Sequence, residues 1–197
     1  MDELTLLNHH IKTCKNCGLQ LTCTQSVLGE GTLGASMLLL GDSPRSTEDL
    51  RGKPFSGRAG IFMSDQLKKN GLDDEHVYKS YNVRCQPPND RDPSPEEMDA
   101  CWVWTTELLR LIRPRIIVTL GKPTLAMLAR KMGFSKKIGQ LPITKLMGKP
   151  IFVETRNFYC FPMLHPVMAM RHGESRSQFQ SNLKYLRLAI PGWLERP

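Results

Sequence analysis

A chain of 197 residues, 40% of them hydrophobic, is long enough for one domain with an ordinary core, here residues 1–197. It has no uninterrupted run of about 18 apolar residues and no signal-peptide hydrophobic segment, which excludes a membrane-spanning class and points to the cytoplasm. With 27 Lys and Arg against 19 Asp and Glu, the net charge of +8 favours a polyanionic partner, most commonly nucleic acid, although a generally basic soluble surface gives the same balance.

Taken in chain order, Asp2 is placed to N-cap a helix over about Glu3–Thr13. That helix carries Leu4, Leu7 and Ile11 on one face and delivers Cys14 and Cys17 at its end. Ser36–Leu40 reads as a strand buried on both faces and stops at Gly41-Asp42-Ser43-Pro44. A helix over Gly60–Asn70 ends at Gly71. A strand follows at Val77–Val83, then a proline-rich loop from Pro87 to Pro95. Ser94-Pro95-Glu96-Glu97 is a helix start, with a capping Ser, Pro at the first helical position and Glu at the third. This helix bears Cys101, Trp104, Leu108, Leu109 and Ile112 before Pro114 ends it. Ile116–Leu120 is a third buried strand, broken at Gly121-Lys122-Pro123 and followed by a helix through about Lys131. Met132–Pro150 reads as an excursion. Strands follow at Phe152–Val153 and Phe158–Leu164, the latter ending at His165-Pro166, and a last helix covers about Ser177–Ile190.

Strands alternating with helices predict an α/β fold with a mostly parallel sheet covered on both faces. The polar motifs Gly41-Asp42-Ser43, Tyr81-Asn82, Gly121-Lys122 and His165-Pro166 all fall at or just past the C-terminal ends of strands. In open α/β sheets that edge carries the binding crevice.

Six cysteines in a reducing compartment read as metal ligands or core, not disulfides. Cys14 and Cys17 form a C-x-x-C, and Cys85 and Cys101 follow much later. Soft thiolates grouped in this way select an iron–sulfur cluster or zinc. Closing so long a loop would make the metal a structural clamp.

The stretches GDSPRSTEDLRGKPFSGRAG (Gly41–Gly60), VYKSYNVRCQPPNDRDPSPEEMDAC (Val77–Cys101), IRPRIIVTLGKP (Ile112–Pro123) and LHP (Leu164–Pro166), with the early C-x-x-C, resemble the iron–sulfur uracil-DNA glycosylases, family 4 of the uracil-DNA glycosylase superfamily. The resemblance implies a three-layer α/β/α fold. It also implies a 4Fe–4S cluster on Cys14, Cys17, Cys85 and Cys101, structural and not redox-catalytic; zinc is the alternative for the same thiolates. Cys23 and Cys160 match no ligand position and read as small buried hydrophobes.

For the site, the resemblance gives Phe55 as the platform under a flipped base, Asp42 as the carboxylate that positions water and stabilises a cationic sugar, and His165 as hydrogen-bond donor to the leaving base. Glu48 corresponds to an acidic residue near the base's C5 edge. Met168 or Met170 is the wedge that fills the vacated stack, and Arg171 meets phosphate. Arg51, Lys53 and Arg58 flank the first motif and are placed to neutralise backbone phosphates; Lys136, Lys137, Lys145 and Lys149 read as an extension of that surface or as a solvated face.

The pattern departs from the family at the base-reading positions. The uracil-reading Asn aligns with Tyr81, and Asn82 falls one residue later, on the other face unless the strand bulges. Asp42 is one methylene shorter than the usual Glu, Ser43 replaces a Gly or Ala, Arg45 replaces a Gly, and Val167 follows His165-Pro166 in place of a small residue. Ser43, Arg45, Glu48, Phe55, Tyr81 and Asn82 are therefore the expected base-binding set. The leading expectation is a monomeric DNA glycosylase for a modified, hydroxymethylated or glucosylated pyrimidine, with an antiviral role. The alternatives are plain uracil repair and a catalytically silent iron–sulfur DNA-binding module.

Overall fold

The computed structural model describes residues 2–72, 76–134, 138–171 and 173–195. Lys136 and Lys137 lie outside the described residues. In chain order the elements are α1 (Glu3–Lys12), β1 (Met37–Gly41), α2 (Ser46–Arg51), α3 (Arg58–Lys69), β2 (Val77–Tyr81), α4 (Pro95–Ile112), β3 (Ile116–Leu120), α5 (Lys122–Met132), α6 (Ile143–Leu146), β4 (Ile151–Val153), β5 (Phe158–Met163), α7 (Pro166–Arg171) and α8 (Gly173–Leu194).

The five strands form one sheet in the order β2-β1-β3-β5-β4. The first four are parallel, and β4 runs antiparallel along β5. On one face Met37, Leu39, Ile116, Val118 and Phe161 meet Met63 and Leu67 of α3 and Phe179, Leu183 and Leu186 of α8. On the other, Leu38, Leu40 and Ile117 meet Leu7 and Ile11 of α1, Leu108 and Ile112 of α4, and Leu125 and Leu128 of α5. Alternate side chains of each strand thus feed opposite helical layers, and the architecture is the expected three-layer α/β/α. Cys160 is fully buried in the second layer, packed as a hydrophobe.

Local chemistry sets the ends. Asp2 accepts the Thr5 backbone N–H at 2.8 Å and caps α1. Ser94 accepts the Glu97 N–H at 3.2 Å while Glu97 accepts the Ser94 N–H at 2.7 Å, a reciprocal box that starts α4. Gly71, at φ 66°, terminates the turn after α3.

Three helices were not expected, among them α6, which lies inside the segment read as an excursion. α2 has six residues and one apolar side chain, Leu50, which is exposed, so it carries no apolar period to read. The segment after His165 that carries the expected wedge is a helix, α7, started by Pro166, with Ala169 buried in the core. The last helix begins at Gly173, before the expected Ser177, and runs to Leu194.

Candidate active site

The C-terminal ends of the parallel strands open into a cleft of about 860 Å³, toward the upper end of the range for small-molecule sites. Its walls include Asp42, Ser43, Arg45, Glu48, Phe55, Tyr81 and His165. Residues far apart in sequence meet there because β1, β2, β3 and β5 all end on this edge.

Asp42 follows β1 directly. One of its oxygens accepts the Ser43 N–H at 2.8 Å, and the other lies 3.5 Å from the Arg45 guanidinium. Ser43 is buried in the cleft wall with its hydroxyl unpartnered. Arg45 is tied down more fully. It pairs with Asp92 at 3.0 Å and donates to the backbone carbonyls of Asp90 and Arg91, clasping the proline-rich loop to the end of β1.

Glu48 lines the cleft, but both its oxygens are engaged. One accepts the Gly57 N–H at 2.7 Å and the other the Arg45 N–H at 3.3 Å. It therefore holds the loop that carries Phe55. Its neighbour Asp49 is also buried and accepts the Thr24 N–H at 2.9 Å, joining α2 to the cysteine-bearing N-terminal segment.

Phe55 sits at φ 54°, a left-handed conformation that costs a bulky residue energy. Three contacts hold it. Its N–H donates to the Tyr81 hydroxyl at 2.9 Å, its ring stacks on Tyr81 with centroids 4.7 Å apart, and Gly60 lets its backbone come close. A Cβ on Gly60 would stand 2.0 Å from the Phe55 carbonyl oxygen.

The β1–β2 register is unbroken, with Gly41 opposite Tyr81, and the Asn82 N–H continues the ladder to the Gly41 carbonyl at 2.8 Å. There is no bulge. Tyr81 therefore faces the cleft, where burial and then the charge of Glu48 raise its phenol above its ordinary value and keep it protonated. Asn82 is not part of the cleft wall: its side chain is buried with neither amide atom partnered. The expectation that Asn82 binds the base is corrected by this alternation.

His165 lies two residues past the end of β5 and lines the cleft. Burial pushes its imidazole below the ordinary value, with the charge of Asp42 pulling the other way, so the ring is neutral near pH 7. Its Nδ1 accepts the Val167 N–H at 3.4 Å, which places the proton on Nε2 as a donor.

Arg58, Lys122, Met168 and Arg171 line the mouth, with Met168 42% exposed at the surface of α7. Met170 does not line the cleft and is half-buried. Arg51 donates to the Ser56 carbonyl at 3.1 Å, and Arg51 and Lys53 are exposed beside the Phe55 loop. Asp90, Asp92, Ser175 and Gln178 also reach the cleft. Nothing in the sequence context of Ser175 and Gln178 marked them, because these α8 residues arrive only through tertiary packing.

A second, smaller pocket lies beside the end of α1. Cys14, Cys17, Cys85 and Cys101 all line it, with Arg84 and Trp104. The Trp104 indole N–H donates to the Cys14 sulfur at 3.2 Å. Burial pushes the Cys101 thiol up to about 11, with Arg84 acting in the opposite sense. Among the described residues no three of these groups close on one point as ligands of a single ion. A cluster core, in contrast, needs its thiolates spread around it. Four soft donors beside a buried cation fit a group of net negative charge. Cys23, outside the pocket wall, is half-buried and packs against this set.

The fold places a binding cleft at the carboxyl edge of a parallel α/β sheet, with a four-thiol pocket beside it. The model of the Uracil DNA glycosylase superfamily matches residues 28–187, and the chain belongs to that superfamily. It is 34% identical to a type-4 uracil-DNA glycosylase of Sulfurisphaera tokodaii over 96% of this chain and 86% of the relative. It is likewise 34% identical to one of Thermotoga maritima, over 86% of this chain and 84% of the relative. A type-5 uracil-DNA glycosylase of Thermus thermophilus is 38% identical over 56% of this chain and 57% of its own. Among the described residues no helix is long and apolar enough to cross a membrane.

Proposed function

We propose that this chain, acting as a single-domain monomer, is a DNA glycosylase that swings a pyrimidine out of DNA, hydrolyses its N-glycosyl bond and leaves an abasic site. The observation that carries this reading is the convergence of Asp42, Phe55 and a neutral His165 on one cleft rimmed by Arg58, Lys122 and Arg171. The cations take phosphates, Met168 fills the gap in the stack, and the extruded base lies against the Phe55 ring. As the C1′–N bond stretches, the Asp42 carboxylate stabilises the cationic sugar and orients water. The His165 Nε2–H donates to the base as it gathers negative charge. The water's hydroxyl ends on C1′, and its proton leaves with the base.

Cys14, Cys17, Cys85 and Cys101 are proposed to hold a 4Fe–4S cluster, whose contribution is to clamp the end of α1 against α4 and the loop after β2. Thiolates kept for a cluster accord with a reducing compartment such as the cytoplasm.

Uracil is the base that the comparisons favour, since relatives matching most of both chains are named uracil-DNA glycosylases. This places uracil ahead of the modified pyrimidine that the sequence departures favour. The second reading keeps one specific support: Tyr81 stands in the cleft wall while the neighbouring amide on its strand, Asn82, does not line the cleft. The Tyr81 hydroxyl accepts from Phe55 and keeps its own proton to donate. That donor suits O4 of uracil, and it also suits a hydroxyl of a hydroxymethylated or glucosylated base; an antiviral role belongs to this second reading alone.

Duplexes carrying uracil, thymine, hydroxymethylcytosine or glucosylated hydroxymethylcytosine, incubated with the protein and treated with alkali, test both readings. Strand breaks at uracil support the first, and breaks only at a modified base support the second. No breaks on any duplex, despite salt-sensitive binding, would leave the silent DNA-binding module.

A further inference from the structure

Arg84 is the largest fully buried side chain in the molecule's described part. A buried guanidinium ordinarily meets a carboxylate, because an unpaired charge in the interior is strongly destabilising. Arg84 has no such partner among the described residues. One Nη donates to the Ser80 hydroxyl, and Nε and the other Nη have no hydrogen-bond acceptor. A neutral hydroxyl leaves the charge uncompensated.

What surrounds Arg84 is the thiol pocket. Its side chain lines that pocket with Cys14, Cys17, Cys85 and Cys101, and it directly precedes Cys85 in the chain. Four thiolates outweigh the positive charge of a cubane core, so a bound cluster is an anion next to the orphaned guanidinium. The backbone around Arg84 is pinned on both sides. The Val83 N–H donates to the Asp42 carbonyl at 2.9 Å, and the Arg84 carbonyl accepts the Val27 N–H at 2.7 Å. The cation cannot swing to solvent, and its short tether to Asp42 joins the thiol pocket to the cleft wall.

We propose that Arg84 is the countercharge of the iron–sulfur cluster, a positioning residue that holds the cluster in its pocket and raises its reduction potential. The inference rests on the cluster reading above. A fixed positive charge favours the more negative, reduced state of the cluster, so removing it lowers the potential.

The test compares the iron-loaded wild-type protein with Arg84→Met and Arg84→Lys. Three readouts serve: iron and sulfide content, the cluster's absorption during electrode-driven one-electron reduction, and the rate of cluster loss to a chelator. Arg84→Met should shift the oxidised-to-reduced ratio at a given potential by tenfold or more, about 59 mV for one electron, toward lower potential. It should also lose its cluster faster. Arg84→Lys keeps the charge and should stay near wild type on both counts. If Arg84→Met yields no cluster while Arg84→Lys retains one, the countercharge role is again supported. A fully loaded Arg84→Met with unchanged potential and unchanged loss rate would overturn it. Loss of the cluster in both variants would overturn it too, because shape and not charge would then be the requirement. A wild-type protein that takes up no iron would instead remove the cluster reading itself.

Discussion

The cleft and the thiol pocket satisfy their charged groups in opposite ways. In the cleft wall, Asp42, Arg45 and Glu48 are buried or half-buried, and each has partners within the protein. Even the strained Phe55 backbone is answered by the Tyr81 hydroxyl. In the pocket, two guanidinium nitrogens of Arg84 have no acceptor, and four thiols share a space with no carboxylate in its wall. The cleft is organised before substrate arrives, as electrostatic catalysis requires. The pocket is complete only with something bound. Damage to the cleft should therefore lower rate and spare stability, and damage to the pocket should do the reverse.

The largest effect expected from that contrast is on the pocket side. Cys85→Ser should lose the cluster's visible absorption and lower unfolding free energy by roughly 3–5 kcal/mol, the scale of stranding a buried charge. Chemical denaturation of iron-loaded wild type and variant checks this, and equal midpoints would break the contrast. On the cleft side, Asp42→Ala should cut single-turnover base release about 10²–10³-fold, the usual cost of one electrostatic stabiliser. Its melting temperature and DNA affinity should stay close to wild type.

Tyr81 lies between these extremes because it serves structure and recognition together. Tyr81→Phe should cost about 1–3 kcal/mol by stranding the Phe55 N–H. Measured side by side, the variant should also lose more activity on a hydroxylated base than on uracil if the second reading of the substrate holds. An equal loss on both would remove Tyr81 as a discriminator.

A smaller effect comes from His165. Its native pKa is below the ordinary value of 6.5, so the unfolded chain binds more protons in the window just below that value. The contribution of His165 to stability is thus fully present above pH 6.5 and falls as pH drops through the window. Denaturant midpoints across pH should show that slope in wild type and a flatter one in His165→Gln. The smallest expected change is at the rim: Arg171→Ala should reduce the slope of log affinity against log salt by about 1, without altering which base is released.

How much of this could be read from residues alone varies with the kind of signal. Ile116–Leu120 was legible to the residue, because a five-residue run rich in β-branched side chains and closed by Gly121 fits a buried strand and is too short for a buried helix. The α4 start was equally plain, since Ser94, Pro95 and Glu97 each act within one turn. The cleft's location followed from polar motifs at strand ends. The direction of Asn82 did not: it needed the observed register, which excludes the bulge that would have turned its amide inward. Short α2 was hidden because its fold depends on buried Glu48 and Asp49, and acidic residues give no apolar period. Arg84 looked like one more basic residue on a basic chain, and only burial distinguishes it.

The measurement that bears most directly on the central claim is mass spectrometry of the small molecules released when iron-loaded protein meets mixed-base duplex DNA in single turnover. The account predicts a free pyrimidine base, without sugar or phosphate, in amounts matching the abasic sites formed, and none from Asp42→Ala. Release of nucleosides or nucleotides, or no release by a protein that binds the duplex and carries its cluster, would contradict it.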